Sequence, residues 1–215
     1  MPDAAPARPG AQKSLHAAEQ DRPGLVQERA AWRTELATLD PDRLVFLDES
    51  GIDTRMTRAH ARAPRGVRAI GRVPWGHWRR LTVIGALARD GLCACMSIAA
   101  ATSTAVFQAF VEQVLAPALR DRPDAILVMD NLAAHKARAV RDALAAAGIH
   151  YRYLPAYSPD LNPIEPCWAK LKARLRAMGA RTLAAIEAEL SPALATVTSQ
   201  DATGWFRLCG YGPPN

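Results

Sequence analysis

The sequence predicts an α/β domain built on a mixed sheet, antiparallel in its first strands and parallel afterwards, with helices on its faces. Three observations carry that expectation. In the first half, Asp90-Gly91 joins two apolar runs, and Asp-Gly between apolar runs is the strongest short hairpin signal. From Thr102 onward the apolar period changes, so that helical stripes alternate with short buried runs. One buried run in each half ends in an acid, Asp48 and Asp130, as strands do where they emerge at a sheet edge.

Residues 1–40 read as a linker and a leading helix. Pro2, Pro6, Pro9 and Pro23 stand among Ala, Gly and charges, which is linker composition. Leu25, Ala30, Trp32, Leu36 and Leu39 then recur at helical spacing until Asp40-Pro41 ends the helix. The domain proper is expected over residues 41–212. Leu44 to Asp48 is a buried strand closed by Asp48, Ala63 to Val73 is expected to add a strand, and Leu81 to Leu87 with Leu92 to Ile98 form the hairpin.

Thr102-Ser103-Thr104 offers an N-cap to a helix whose stripe is Val106, Phe107, Phe110, Val111, Val114 and Leu115, bent or ended by Pro117. Ala125 to Met129 is a strand ending at Asp130. Ala137 to Ala147 is a helix capped by Gly148, and Tyr151 to Leu154 is a strand. A turn-rich loop, Pro155 to Pro163, precedes a helix with Asn162 placed to cap and Pro163 in the first turn; Ile164, Trp168, Leu171, Leu175 and Met178 form its buried stripe up to Gly179. Leu183, Ile186, Leu190, Leu194 and Val197 make a last helix, interrupted at Ser191-Pro192. This order is compatible with a ribonuclease-H-like fold and with others of its class.

Composition narrows the function. A chain of 215 residues that is 49% hydrophobic can build a core, which excludes wholesale disorder. It contains no apolar run long enough to span a membrane and no signal peptide, so a soluble, cytoplasmic, nucleoid-associated protein without a membrane partner is expected. Cys93, Cys95, Cys167 and Cys209 match neither a disulfide framework nor a zinc site and read as thiols in a reducing compartment.

The net charge is +6, and nine arginines crowd the segment from Arg55 to Arg89 with no Asp or Glu until Asp90. Arg55, Arg58, Arg62, Arg65, Arg68, Arg72, Arg79 and Arg80 are candidate phosphate contacts, because guanidinium pairs with phosphate oxygens and releases condensed counterions. Trp75, His77 and Trp78 in the same stretch could stack on a base. A solvated charged face is the alternative.

Asp48, Asp130 and Glu165 form the candidate catalytic set. If the two acid-ended strands are neighbours, Asp48 and Asp130 emerge side by side and Glu165, in the first turn of a later helix, reaches across. Three carboxylates that lack neighbouring cations repel one another unless a divalent ion sits among them, and oxygen-only ligation suits Mg²⁺ or Mn²⁺. Two such ions promote phosphoryl transfer. Each acid alone could equally be a turn or cap residue.

The stretches Val45-Phe-Leu-Asp-Glu-Ser-Gly51, Val128-Met-Asp-Asn-Leu-Ala-Ala-His-Lys136 and Leu154-Pro-Ala-Tyr-Ser-Pro-Asp-Leu-Asn-Pro-Ile-Glu165 closely resemble the DDE-type catalytic domains of bacterial insertion-sequence transposases related to the mariner group. Thirty-four residues separate Asp130 from Glu165, the spacing of that family. The resemblance implies a ribonuclease-H-like domain in which Asp48, Asp130 and Glu165 bind two Mg²⁺ ions, with Mn²⁺ as a substitute. It implies cleavage at the element's ends and attack of the freed 3′-hydroxyl on target DNA, with a homodimer assembled on the terminal inverted repeats. Asn131 is then expected to orient Asp130, His135 to contact the scissile phosphate, Lys136 to touch DNA, and Tyr157, Ser158 and Asn162 to shape the loop that aims Glu165. Such transposases carry helix-turn-helix modules ahead of the catalytic domain. That module is expected to be absent here and supplied by an upstream frame, or lost. A stand-alone nuclease of the same fold and an inactive fragment that binds DNA or a full-length partner are the competing readings.

Overall fold

The computed structural model describes residues 18–36, 38–57, 62–72 and 77–212. Five strands form one sheet: β1 (Leu44–Asp53), β2 (Arg80–Ala88), β3 (Gly91–Ile98), β4 (Ile126–Met129) and β5 (His150–Tyr153). Their order across the sheet is β3-β2-β1-β4-β5. The first three pair antiparallel, whereas β4 pairs parallel with β1 and β5 parallel with β4, the mixed sheet that the sequence predicts. β2 reads almost wholly apolar because helices cover both of its faces, and the Asp90-Gly91 hairpin closes with Gly91 at φ 135°.

Two helical layers enclose the sheet. On one face lie α2 (Thr104–Phe110), a π-helical turn (Val111–Leu115), α3 (Ala116–Ala118) and α4 (Arg138–Ala146). Phe107, Phe110, Leu115, Val140 and Leu144 pack there against Val45, Leu47, Leu127 and Met129. Ser103 caps α2 through a bond accepted from the Val106 N–H, and the helix stops just past Pro117, as expected.

The opposite layer holds α5 (Ile164–Met178), α6 (Leu183–Leu194) and α7 (Ser199–Leu208). Its core joins Trp168, Leu171, Leu175, Ile186 and Phe206 to Phe46 and Val128. The leading helix, α1 (Pro23–Leu36), contributes Trp32 to this same core and is therefore docked on the sheet's helical cover.

Four expectations need correction. Asp48 does not end β1: the strand runs five residues further, because Asp48 to Asp53 pair with β2 after β4 has ended. Residues 63–72 form no strand; each of them is exposed, with a turn at Pro64–Val67 and Gly66 at φ 84°. α6 continues through Pro192, since buried Leu190 and Ala193 on either side anchor it to the core. A further helix, α7, follows, started by a capping box between Thr198 and Asp201.

Candidate active site

β1 and β4 are in register up to the pair Leu47 and Met129, so Asp48 and Asp130 occupy the next step on adjacent parallel strands. Glu165 enters from the first turn of α5. These three line one cleft of about 440 Å³ with Asn131, Tyr157, Ser158 and Asn162. Position 48 shares the α5 face of the sheet with Phe46, and the Trp168 indole Nε1 donates to Asp48 Oδ2 at 3.2 Å. Opposite Asp48 in the β1–β2 ladder stands Gly85, where a Cβ would lie 2.6 Å from the Trp168 ring. The glycine makes room for the indole that holds the carboxylate.

The electrostatics differ from acid to acid. Burial pushes the Asp48 carboxyl up to about 8; the carboxylates of Glu165, Glu49 and Asp130 add to the rise, against a backbone N–H that lowers it. Glu165 is raised by burial and by Asp130, with Lys172 opposing. Asp130 moves the other way, because hydrogen bonds from His135 and from the Leu132 N–H outweigh its burial.

His135 explains that difference. Its side chain is fully buried, stacked on Phe107 with ring centroids 4.3 Å apart. Nδ1 lies 2.7 Å from Asp130 Oδ1 and Nε2 3.1 Å from Glu49 Oε1. Burial disfavours a charged imidazole, but the two carboxylates prevail and hold its pKa near 9. An imidazolium thus spans the sheet between Glu49 and Asp130. His135, expected to contact the scissile phosphate, is fully buried in this structure, with Nδ1 against one oxygen of Asp130.

Other expectations resolve residue by residue. Asn131 Nδ2 donates to the Leu154 carbonyl and so ties the end of β4 to the loop after β5, which is a different bond from one to Asp130. Asn162 is buried and does not cap α5 with its side chain; its Oδ1 is buried without a partner, while its carbonyl accepts from the Glu165 N–H. Tyr157 adopts the left-handed region at φ 52°, and Ser158 Oγ donates to the Ala156 carbonyl. Arg55, Arg62, Arg65, Arg68, Arg72, Arg79, Arg80 and Lys136 are exposed. Arg58 and Trp75 lie outside the described residues. Trp78 is exposed, with the Arg55 guanidinium 4.2 Å and that of Arg80 5.5 Å from its ring centroid. Lys136 Nζ sits 5.3 Å from the Tyr153 ring. The cysteines are free thiols.

Sequence reasoning missed Glu49 and treated Trp168 as core alone. The signal for Glu49 was available: a charged residue at the alternate position of a buried strand points into the opposite core and needs a partner there.

Among the described residues, no three potential ligands stand together as a closed metal cage. The donor chemistry nevertheless fits a hard divalent cation, since the cleft's acids are all oxygen donors and two of them carry raised pKa values.

Acids delivered from two adjacent strands and the following helix, on a sheet of order 3-2-1-4-5, define a ribonuclease-H-like domain. More narrowly, the chain belongs to the DDE superfamily endonuclease family, whose sequence profile matches residues 43–187. No curated protein sequence matches the chain. Its fold is similar to that of the Mos1 transposase in the paired-end complex with the left transposon end, at TM-score 0.78 and 18% identity, over 95% of this chain and 64% of that one. The isolated catalytic domain of Mos1 mariner transposase gives TM-score 0.65 at 18% identity, covering 93% of each chain. The Mos1 mariner paired-end complex with Mn gives TM-score 0.72, also at 18% identity, over 95% of this chain and 64% of that one. The chain thus spans somewhat under two thirds of the full transposase chains it matches. Among the described residues no helix is long and apolar enough to cross a membrane.

Proposed function

We propose that this chain is the catalytic domain of a transposase, which cuts DNA at the ends of a mobile element and transfers the freed 3′-hydroxyl to target DNA. The observation that carries this reading is the convergence of Asp48, Asp130 and Glu165 on one cleft in a DDE-family fold. The Mos1 structures, with transposon-end DNA and with Mn, support the choice of substrate and cofactor.

In this reading Asp48, Asp130 and Glu165 hold two Mg²⁺ ions, with Mn²⁺ as a substitute. When bound there, the ions would supply activation of a water and neutralisation of phosphate charge for in-line displacement. The protein's own contribution is positioning. Trp168 fixes Asp48 by its indole N–H, and His135, held by Glu49, fixes Asp130 Oδ1. The exposed arginines and Lys136 contact phosphates. The active assembly is a homodimer on DNA.

The test is cleavage of a labelled duplex bearing the neighbouring terminal repeat, in Mg²⁺ or Mn²⁺, by the chain and by its Asp130→Asn variant. Asp130→Asn is expected to reduce cleavage roughly 10³-fold or more while the fold is retained, because it removes a ligand charge and little volume. Undiminished cleavage by Asp130→Asn would remove that residue from the site. DNA binding without cleavage by either protein would favour an inactive fragment.

A further inference from the structure

The loop that aims Glu165 is held by the two ends of the chain. From α1, Arg29 extends a buried guanidinium whose Nη1 donates to Ser158 Oγ at 2.5 Å and to Asp160 Oδ1 at 3.1 Å, while Nη2 donates to Asp160 Oδ2 at 2.6 Å. Ahead of that helix, Gln20 Nε2 donates to the Tyr157 carbonyl at 2.6 Å. From the far end, the Tyr211 hydroxyl accepts from Trp32 Nε1 and donates to the Leu161 carbonyl at 2.7 Å. Positions 157, 158, 160 and 161 are each gripped by a side chain from outside the loop. They need the grip: a tyrosine in the left-handed region, φ 52°, is strained and persists only where its surroundings impose it.

Resting on the functional reading above, we infer that Arg29 is a positioning residue for Glu165. Its ion pair with Asp160 clamps the Tyr157–Leu161 segment, and the loop passes through Asn162 and Pro163 into the first turn of α5. The forked geometry suits this task, since two parallel charge-assisted bonds fix orientation as well as distance. Against its partial burial, Arg29 holds the Asp160 carboxyl below its usual range, so the pair stays charged at neutral pH. The consequence is that α1 is part of the active-site scaffold. Anything joined ahead of α1 that undocks it withdraws Glu165 from the cleft.

The test compares wild type with Arg29→Met, Asp160→Asn, the double variant and Arg29→Lys, all in the full chain. Three readouts are used: hydrogen exchange of residues 156–166 against β1, Mn²⁺ affinity by electron paramagnetic resonance, and the rate and KM of Mn²⁺-dependent plasmid nicking. Arg29→Met is expected to speed exchange in residues 156–166 while β1 is unchanged, to weaken Mn²⁺ binding several-fold, and to lower kcat on the order of 10-fold at constant KM for DNA. The double variant is expected to be no worse than the more damaged single, and Arg29→Lys to recover part of the loss. Unchanged Mn²⁺ affinity in Arg29→Met, or additive defects in the double variant, would overturn the assignment. If the wild type binds Mn²⁺ but nicks nothing, the nuclease reading fails, and the exchange and affinity data still decide the role of Arg29.

Discussion

Asp48 shows how one residue's environment records what the site is for. It is nearly buried, receives an indole N–H, and faces the carboxylates of Glu165, Glu49 and Asp130. Burial among acids therefore pushes its carboxyl up to about 8, well above an unfolded aspartate. A pKa raised by folding means that the folded state keeps a proton which the unfolded chain gives up between about pH 4 and pH 8. Metal-free stability is thus full below that window and falls as pH rises through it. Asp48→Asn keeps the shape and the acceptor for Trp168 but removes the ionisation. It is expected to raise metal-free stability at pH 7–8 by on the order of 1–3 kcal/mol, and to change it little at pH 4. Thermal melting at the two pH values checks this; equal melting of both proteins at pH 8 would show that Asp48 is not held protonated. The cleft sacrifices stability to keep its acids together, which is the signature expected of a place reserved for external positive charge.

At the scale of elements, the site depends on how closely β2 lets α5 approach β1. Gly85 is the point of contact, because its missing side chain admits the Trp168 ring beside Asp48. Gly85→Ala places a methyl within 2.6 Å of Trp168 Cη2, so the indole or the strand must move. An overpacking loss of about 1–3 kcal/mol in chemical denaturation is expected, with cleavage impaired through the displaced Asp48. A variant as stable as wild type would mean that α5 is free to shift. Elements set by local pattern were legible from the sequence: the Asp-Gly hairpin, the stripe of α5 from Ile164 to Leu175, although Met178 at its end is exposed, and Gly148 and Gly179 in left-handed caps. What escaped depends on partners remote in sequence. The continuation of β1 past Asp48 is imposed by β2, and the persistence of α6 through Pro192 by the core beneath it. The Glu49–His135–Asp130 bridge crosses 86 residues between Glu49 and His135, so although the alternation of β1 marks Glu49 as needing a partner, nothing local names that partner. The start of α7 was different: Thr198 and Asp201 form a capping box that can be read three residues apart.

For the whole molecule, the distribution of charge matters more than its sum. β1 ends and β2 begins at the end of the sheet where Asp130 emerges, so the arginine-rich connector leaves and rejoins the fold on the same side as the cleft. Asp130 and Glu165 were legible as a strand end and a helix start, Asp48 only as the acid of an apolar run that in fact continues to Asp53, and the arginines as a composition anomaly; their common side follows only from the sheet order. Acids in a cleft with a cationic margin suit a polyanion whose backbone is gripped at the rim and reacts within. Arg79 and Arg80 are exposed, and neither makes an ion pair among the described contacts, although Arg80 lies near the Trp78 ring. Both are therefore available to phosphate. Each phosphate contact on duplex DNA contributes about 0.9 to the slope of log affinity against log salt. Arg79→Ala combined with Arg80→Ala is expected to reduce that slope by up to about 2 and to weaken binding uniformly across sequences. Arg120, which lies ahead of β4 and so at the opposite end of the sheet from the acids, provides the control. Its replacement by Ala should leave the slope unchanged. Fluorescence anisotropy with a duplex between 50 and 200 mM salt separates the cases: equal slopes for all three proteins would place the DNA on another surface, and a loss in Arg120→Ala alone would move the binding face to the far end of the sheet.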